Sequence, residues 1–334
     1  MNYLNYPKKS FKILSSAIAF PEELGSFYSN EELTYKFKNG ISQNEKDIFI
    51  SRAKNHGFEN RYRTFISTTS VDLMNSALKS ALSNANIGPQ DIDFLISVTT
   101  TSPKYTTSTA PMVAAGVNLN CPGIELKSGC ASSLYALTVA SSLLCHTIKN
   151  IAIVFGETLS NTVDLDNNLS FAVADGGAAI ILSYSNDSNI GLEWGMMGMD
   201  GAYHSKIGVG GRLPPNRNDL DTNQYQMTYH KSMNIILKDL WINLGKKSAQ
   251  ELESKKIDEI LIHEANNRSR THFIEGFLDN QFESRSILPQ YGNCGPATII
   301  IALHKILEQN EEHKNILLAS IGGGVSSGAL LIRV

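Results

Sequence analysis

Ile92-Asp93-Phe94-Leu95-Ile96 and Ile257-Asp258-Glu259-Ile260-Leu261 are two near-copies of one apolar strand, about 165 residues apart in a chain of 334. Each sits in the same grammar. Ahead of the first, Val71, Met74, Leu78 and Leu82 recur at helical spacing over 71–82, and Gly88-Pro89 ends the helix before the run 92–98. After it come a Ser/Thr/Pro-rich loop at 99–109, a short strand at 124–126, a helix over 131–148 and a buried strand at 151–155 ending at Gly156. The second copy has a helix at 233–244, a strand at 257–262, a helix at 296–307 and a strand at 315–319 that ends at Gly322. Cys130 and Cys294 occupy matching places. The repetition predicts an internally duplicated α/β protein whose strands carry helices on both faces. The linker falls near 184–191, where Ser, Asn and Asp accumulate, which divides the chain into halves 1–187 and 188–334. The Gly/Met-rich and then polar stretch 191–228 reads as a surface excursion of the kind that forms lids or walls.

Composition narrows the function. Hydrophobic residues make up 42% and charged residues 18%, with 25 Gly and 10 Pro, so the chain is globular. A net charge of -3 gives no electrostatic reason to expect nucleic-acid binding. The four cysteines, 121, 130, 145 and 294, form no C-x-x-C, which argues against a zinc ribbon or a dense disulfide framework and for a reducing compartment. Residues 1–10 lack the apolar core of a signal segment and no run is long enough to span a membrane, so the expectation is a cytoplasmic protein.

Three patterns fail on context. Gly324-Val325-Ser326-Ser327-Gly328 matches G-x-S-x-G, but only six residues remain for the helix, acid and His that a serine hydrolase needs. His263-Glu264 opens like a zinc-protease motif, but Asn267 stands where the second His would be. Gly208-Val209-Gly210 lacks the rest of a dinucleotide fingerprint. Neither a metal nor a nicotinamide is indicated.

Cys130 lies in Ser128-Gly129-Cys130-Ala131-Ser132-Ser133, where small residues permit a tight turn at the start of a helix whose N-terminus would lower a thiol pKa. Most cysteines are inert core residues, and the context is what sets this one apart. His263 ends an apolar strand, where α/β folds expose side chains to a crevice. Asn293, in Tyr291-Gly292-Asn293-Cys294-Gly295-Pro296, precedes a helix and taken alone reads as a cap or Asx turn. Gly322-Gly323-Gly324 ends a strand and could be a plain turn or a presenter of backbone N–H groups to an oxyanion.

In this order and spacing, Cys130, His263-Glu264-Ala265-Asn266, the Asn293 segment and Gly322-Gly323-Gly324-Val325-Ser326-Ser327-Gly328 resemble the β-ketoacyl-acyl-carrier-protein synthase III family over nearly the whole chain. Phe171-Ala172-Val173-Ala174-Asp175-Gly176-Gly177-Ala178-Ala179 is similar to the family's F-G-D-G-A-G-A-A stretch. The resemblance implies a thiolase-like five-layer αβαβα fold of two duplicated halves, usually a homodimer, with a heteromer containing a paralogue as a further possibility. It implies Cys130 as the nucleophile that takes an acyl group from acyl-CoA or acyl-carrier protein, and the N–H groups of Cys130 and Gly323 as the oxyanion hole. His263 and Asn293 would stabilise the enolate of a malonyl thioester as carbon dioxide leaves, and a Claisen condensation would follow. Tyr105 and Val173 would bound the acyl pocket, with Val173, in place of a bulkier Phe, enlarging it. Arg268 and Arg270 would meet the carrier protein, and Arg52 the coenzyme A. No cofactor is implied beyond the thioester substrates.

The chain departs from the family pattern at Glu264, Cys294, Gly295-Pro296 and Tyr291, and Phe49 and Arg52 do not reproduce the usual aromatic-to-Arg spacing. These departures favour a specialised acyl or polyketide pathway at least as much as fatty-acid initiation. Two other readings stay open: acyl transfer to an alcohol or amine without condensation, and a supporting subunit of a heteromeric synthase.

Overall fold

Thr69 starts a helix by accepting the Asp72 N–H on its hydroxyl while the Asp72 carboxylate accepts the Thr69 N–H, and the apolar residues that follow at helical spacing are all buried. Reciprocal caps and buried stripes of this kind define the elements of a computed structural model that describes residues 1–37, 40–104, 106–164, 167–209, 226–277, 285–309 and 314–334. In chain order they are β1 (Tyr3–Tyr6), β2 (Lys9–Ala19), β3 (Gly25–Ser29), α1 (Asn30–Phe37), α2 (Gln43–Asn55), β4 (Asn60–Thr64), α3 (Ser70–Ala85), β5 (Phe94–Val98), α4 (Thr109–Val117), β6 (Gly123–Leu126), α5 (Ser132–Leu143) and β7 (Asn150–Thr158). There follow β8 (Asp175–Tyr184), β9 (Gly191–Met199), β10 (Ile207–Val209), β11 (Met227–Tyr229), α6 (Met233–Glu251), β12 (Glu259–Ile262), α7 (Asn267–Phe277), the single turn α8 (Leu288–Tyr291), α9 (Ala297–Leu307), β13 (Asn315–Gly322) and β14 (Ser326–Arg333).

The duplication is written into the sheet. In the first half the strands lie in the order β6-β5-β7-β8-β2, and in the second β12-β13-β14-β9, with β1 added beside β9. β5 is parallel to β7 as β12 is to β13, and β8 and β14 each close their half antiparallel to both neighbours. Register repeats too: Leu95 faces Ala152 and Ile260 faces Leu317, both members of the pair displaced by the same offset as the sequence repeat. Lys9 and Ser10 of β2 join the halves by pairing with Leu192 and Gly191 of β9.

Alternation along the strands sets the layers. Ile151, Ile153 and Phe155 of β7, with Ile316 and Leu318 of β13, face a central core shared with α5 and α9. Ala152 and Val154 face α3 and α4 on one outer side, and Leu317 and Ala319 face α6 and α7 on the other. Five layers result: helices, sheet, helices, sheet, helices. Strands buried on both faces need continuous apolar runs, which is why the periodicity of β7 and β13 is so plain in the sequence. Each such Ile or Leu side chain contributes about 1.5–3 kcal/mol when fully buried.

Two expectations need correction. Residues 191–199 are not surface excursion but β9, a strand inside the second sheet; its glycines let neighbours approach, since a Cβ on Gly195 would sit 2.7 Å from Leu330 Cδ2. The helix predicted over 131–148 stops at Leu143, and Cys145 N–H donates to Ile148 O in the turn that leads into β7. Among the described residues no helix is long and apolar enough to cross a membrane.

Candidate active site

Cys130 stands between β6 and α5 in a turn held from several sides. Gly129 takes a left-handed φ of 58°, and its carbonyl accepts both the Ser132 N–H (3.0 Å) and the Ser132 hydroxyl (2.7 Å). Ser320 of β13 donates its hydroxyl to Cys130 O at 3.0 Å, and Ser128 donates to Ser326 of β14 at 2.9 Å. The two backbones touch. A Cβ on Gly129 would lie 2.8 Å from Gly323 N, and one on Gly322 would lie 2.5 Å from Cys130 N. Only glycine at both positions lets the 322–324 turn reach the Cys130 peptide, which places Gly323 beside the nucleophile candidate.

The thiol is not acidified as the helix N-terminus suggested. Burial pushes Cys130 up to about 12, and the nearby Glu157 carboxylate acts in the same direction. Although Cys130 is partly open to the cavity, desolvation of a thiolate outweighs the helix field, so the resting group is a neutral thiol.

His263 follows β12, where its N–H donates to Ala319 O at 2.8 Å and continues the β12–β13 ladder. It is 1% exposed, and neither ring nitrogen has a hydrogen-bond partner among the described residues. Burial pulls it down to about 4, so the imidazole is neutral at pH 7 with its donor and its acceptor unspent. Asn293 is fixed by its backbone, which donates to Ala172 O at 3.1 Å and accepts from Ala174 N–H at 2.9 Å opposite Val173. Its Oδ1 accepts the Gly295 N–H at 2.9 Å, which orients the amide and leaves the Nδ2 hydrogens to donate. Residues 159–164 and 167–174, between β7 and β8, bring Val173 there, and the corresponding place between β13 and β14 holds the short turn 323–325.

One cavity of about 1550 Å³ takes in Cys130, His263, Asn293 and the glycines 322–324. Val173, Leu169 and Phe171 line it, and Arg52 and Arg268 stand on its wall. Those two arginines come together because Asn267 at the start of α7 donates its N–H to His56 O and its side-chain amide to Asn55 O, both at 3.0 Å, docking α7 on the end of α2. Arg270 is placed differently: its Nε lies 3.4 Å from the buried Glu264 carboxylate, and Arg270 is absent from the cavity wall. Tyr105 lies outside the described residues.

In the sequence Glu264 stood out as a failed zinc-motif position and a departure from the family pattern, and Glu157 did not stand out at all. Glu264 accepts the Ser286 hydroxyl and is pushed up to about 7 by burial. Glu157, at the end of β7, is fully buried and likewise raised to about 7. The one available signal was an acidic residue two positions past the end of an apolar run.

Comparison with known proteins bears on the family and the fold. Family models described as 3-oxoacyl-[acyl-carrier-protein] synthase III and as its C-terminal region match residues 124–201 and 248–334. The chain is similar to the β-ketoacyl-[acyl-carrier-protein] synthase III of Fusobacterium nucleatum, at 30% identity over 294 residues covering 82% of this chain and 87% of that protein. It is also similar to the protein of that name from Vesicomyosocius okutanii, at 29% over 283 residues, 83% of this chain and 87% of the other. In fold it matches the crystal structure of 3-oxoacyl-[acyl-carrier-protein] synthase III from Aquifex aeolicus with a TM-score of 0.82, at 22% identity, covering 97% of this chain and all of that one.

Proposed function

The chain belongs to the 3-oxoacyl-[acyl-carrier-protein] synthase III family, and on that premise we propose that Cys130, His263 and Asn293 perform its two half-reactions in the one cavity they share. The enzyme is an acyltransferase that loads an acyl group on a cysteine and condenses it, with loss of carbon dioxide, with a malonyl thioester to give a 3-oxoacyl product. The observation that carries the residue assignment is the joint placement of those side chains with the glycine turn packed on the Cys130 peptide.

In the first half-reaction the Cys130 sulfur attacks the carbonyl of an acyl-CoA or acyl-carrier-protein thioester, and its proton goes to the departing thiol. Because the resting thiol is neutral, charge develops only as the carbonyl oxygen becomes an oxyanion, which the N–H groups of Cys130 and Gly323 meet. In the second, a malonyl thioester loses carbon dioxide and its enolate oxygen takes hydrogen bonds from neutral His263 and from Asn293 Nδ2. The carbanion attacks the acyl carbonyl, a C–C bond forms, the C–S bond to Cys130 breaks, and the sulfur regains a proton.

Arg52 and Arg268 supply the cations for a phosphorylated thioester carrier or an acidic carrier protein. Arg270, held by Glu264, has a lesser part. Val173 sets the width of the acyl end. Two copies joined at β6, an edge strand among the described residues on which Ile124 is 40% exposed, complete the assembly, in a cytoplasmic setting suited to four free cysteines.

The test is peptide mapping by mass spectrometry after incubation with a panel of acyl-CoA and acyl-carrier-protein donors. The acyl mass is expected on the peptide containing Cys130 and absent from Cys130→Ala. An acyl group carried by another residue removes Cys130 from its role.

A further inference from the structure

Glu157 takes no part in the chemistry above, yet it is a fully buried carboxylate whose hydrogen-bond donors, among the described residues, come from Thr100 and Thr101. Thr100 gives it the backbone N–H (2.6 Å) and the hydroxyl (2.8 Å), and Thr101 gives its hydroxyl (2.9 Å). Thr101 Oγ1 in turn accepts the Thr158 N–H at 3.0 Å, and the Thr101 carbonyl accepts the Ser70 hydroxyl at 2.9 Å. Thr100 and Thr101 both line the cavity that holds Cys130. Both hydroxyls are thus tied to Glu157, which is not among the residues of the cavity wall.

Glu157 reaches the rest of the site as well. A Cβ on Gly295 would stand 3.3 Å from Glu157 Cγ, and Gly295 is the residue whose N–H orients Asn293. Among the described residues, the charged and titratable groups around Glu157 are Lys127 and Cys130 ahead of α5 and Cys294 ahead of α9.

We infer that Glu157 is a positioning residue for substrate selection: by holding the hydroxyls of Thr100 and Thr101 away from the cavity, it leaves their methyls to face the acyl group and makes the enzyme favour plain hydrocarbon acyl groups over hydroxylated ones. This deepens the condensing-enzyme reading and rests on it. Glu157 is not among the residues that line the cavity. A carboxylate fits because all three of its partners are donors, whereas a glutamine would set its own amide hydrogens against one of them.

The experiment measures acylation of Cys130 by a saturated acyl-CoA and by the 3-hydroxyacyl-CoA of equal length, across pH 5.5 to 8.5. A wall of methyls favours the saturated donor in kcat/KM by about 100-fold, and Glu157→Gln is expected to cut that ratio to about tenfold or less, mainly through KM. Thr100→Ser with Thr101→Ser keeps the ties and deletes the methyls, so it also lowers the ratio. Its remaining preference falls with protonation of Glu157 below about pH 7, as in the wild type, while Glu157→Gln shows no such pH step. A purely structural role would lower both donors alike. An unchanged ratio in Glu157→Gln, with Cys130 still acylated, overturns the inference and leaves the condensing reading standing. Failure of the wild type to take an acyl group from any donor removes the reading and the inference with it.

Discussion

Gly322→Ala tests the contact on which the oxyanion hole depends. The added methyl carbon would sit 2.5 Å from Cys130 N and 2.7 Å from Ala131 N, and 3.0 Å from Gly129 C. Ordinary van der Waals contact begins at 3.4 Å, so the two backbones must separate by about 0.9 Å. Both sides of the contact are backbone atoms and cannot swing aside as a flexible side chain would. The displacement falls on the Gly323 and Cys130 N–H groups, and misplacing an oxyanion donor by about 1 Å costs on the order of 100-fold in rate. The accompanying overpacking costs about 1–3 kcal/mol of stability, which leaves a folded protein of this size to assay. Single-turnover acylation of Cys130, followed by quenched-flow mass spectrometry, reads the rate directly. Acylation about 100-fold slower, with thermal unfolding still cooperative, is the expected result. A rate within about threefold of wild type would refute the argument that this turn forms part of the site.

Asn293→Ala is expected to leave the amplitude of Cys130 acylation intact and to slow malonyl-dependent discharge by about 100-fold, the scale of one lost oxyanion donor, as measured by carbon dioxide release. Val173→Phe fills the acyl end of the cavity. Each methylene of a long donor that no longer fits costs roughly tenfold or more in kcat/KM, so the chain-length optimum moves to shorter acyl-CoAs. Glu264→Gln bears on pH. Burial raises Glu264 to about 7, so the native state holds that proton more tightly than the unfolded chain does, and ionisation subtracts stability as pH rises from about 4.5 towards 7. The variant therefore melts higher than wild type at pH 8 and at the same temperature at pH 4. His263 runs the opposite way. Its depressed value means stability is lost as pH falls from about 6.5 towards 4, and His263→Gln should flatten that acid limb in calorimetry.

The duplication was legible because buried parallel strands are mostly apolar: 92–98 and 257–262 stand out as apolar runs broken by Asp93 and Ser97 and by Asp258 and Glu259, and their offset is the offset of the ladders. Cys130, His263 and Asn293 were legible as strand-end and helix-start residues, and the structure brings all three to one cavity. β4 was not legible. It reads Asn60-Arg61-Tyr62-Arg63-Thr64, with two arginines, and is nevertheless buried, because β3 and the loops ahead of β8 close over it. Arg61 there reaches Asn30, a partner 31 residues away, which no local pattern reveals. β9 was hidden for another reason: Gly191-Leu192-Glu193-Trp194-Gly195 follows no alternation, since its glycines serve the close approach of β14 and β1. Glu157 escaped notice because its meaning depends on Thr100 and Thr101, brought to it from more than fifty residues away by the β5–β7 pairing. The thiol of Cys130 shows the limit of reasoning from one element. The helix N-terminus favours a thiolate, but only the packed structure shows how much burial opposes it.

The central claim is that one cavity carries both acyl capture and decarboxylative condensation. The most direct measurement isolates the acyl-enzyme, mixes it with malonyl-acyl-carrier protein in a single turnover, and quantifies carbon dioxide, free Cys130 and product together. Equal amounts of carbon dioxide, regenerated Cys130 and 3-oxoacyl product are the predicted result. Discharge of Cys130 by water or by an alcohol or amine acceptor, with the malonyl group intact, would contradict it.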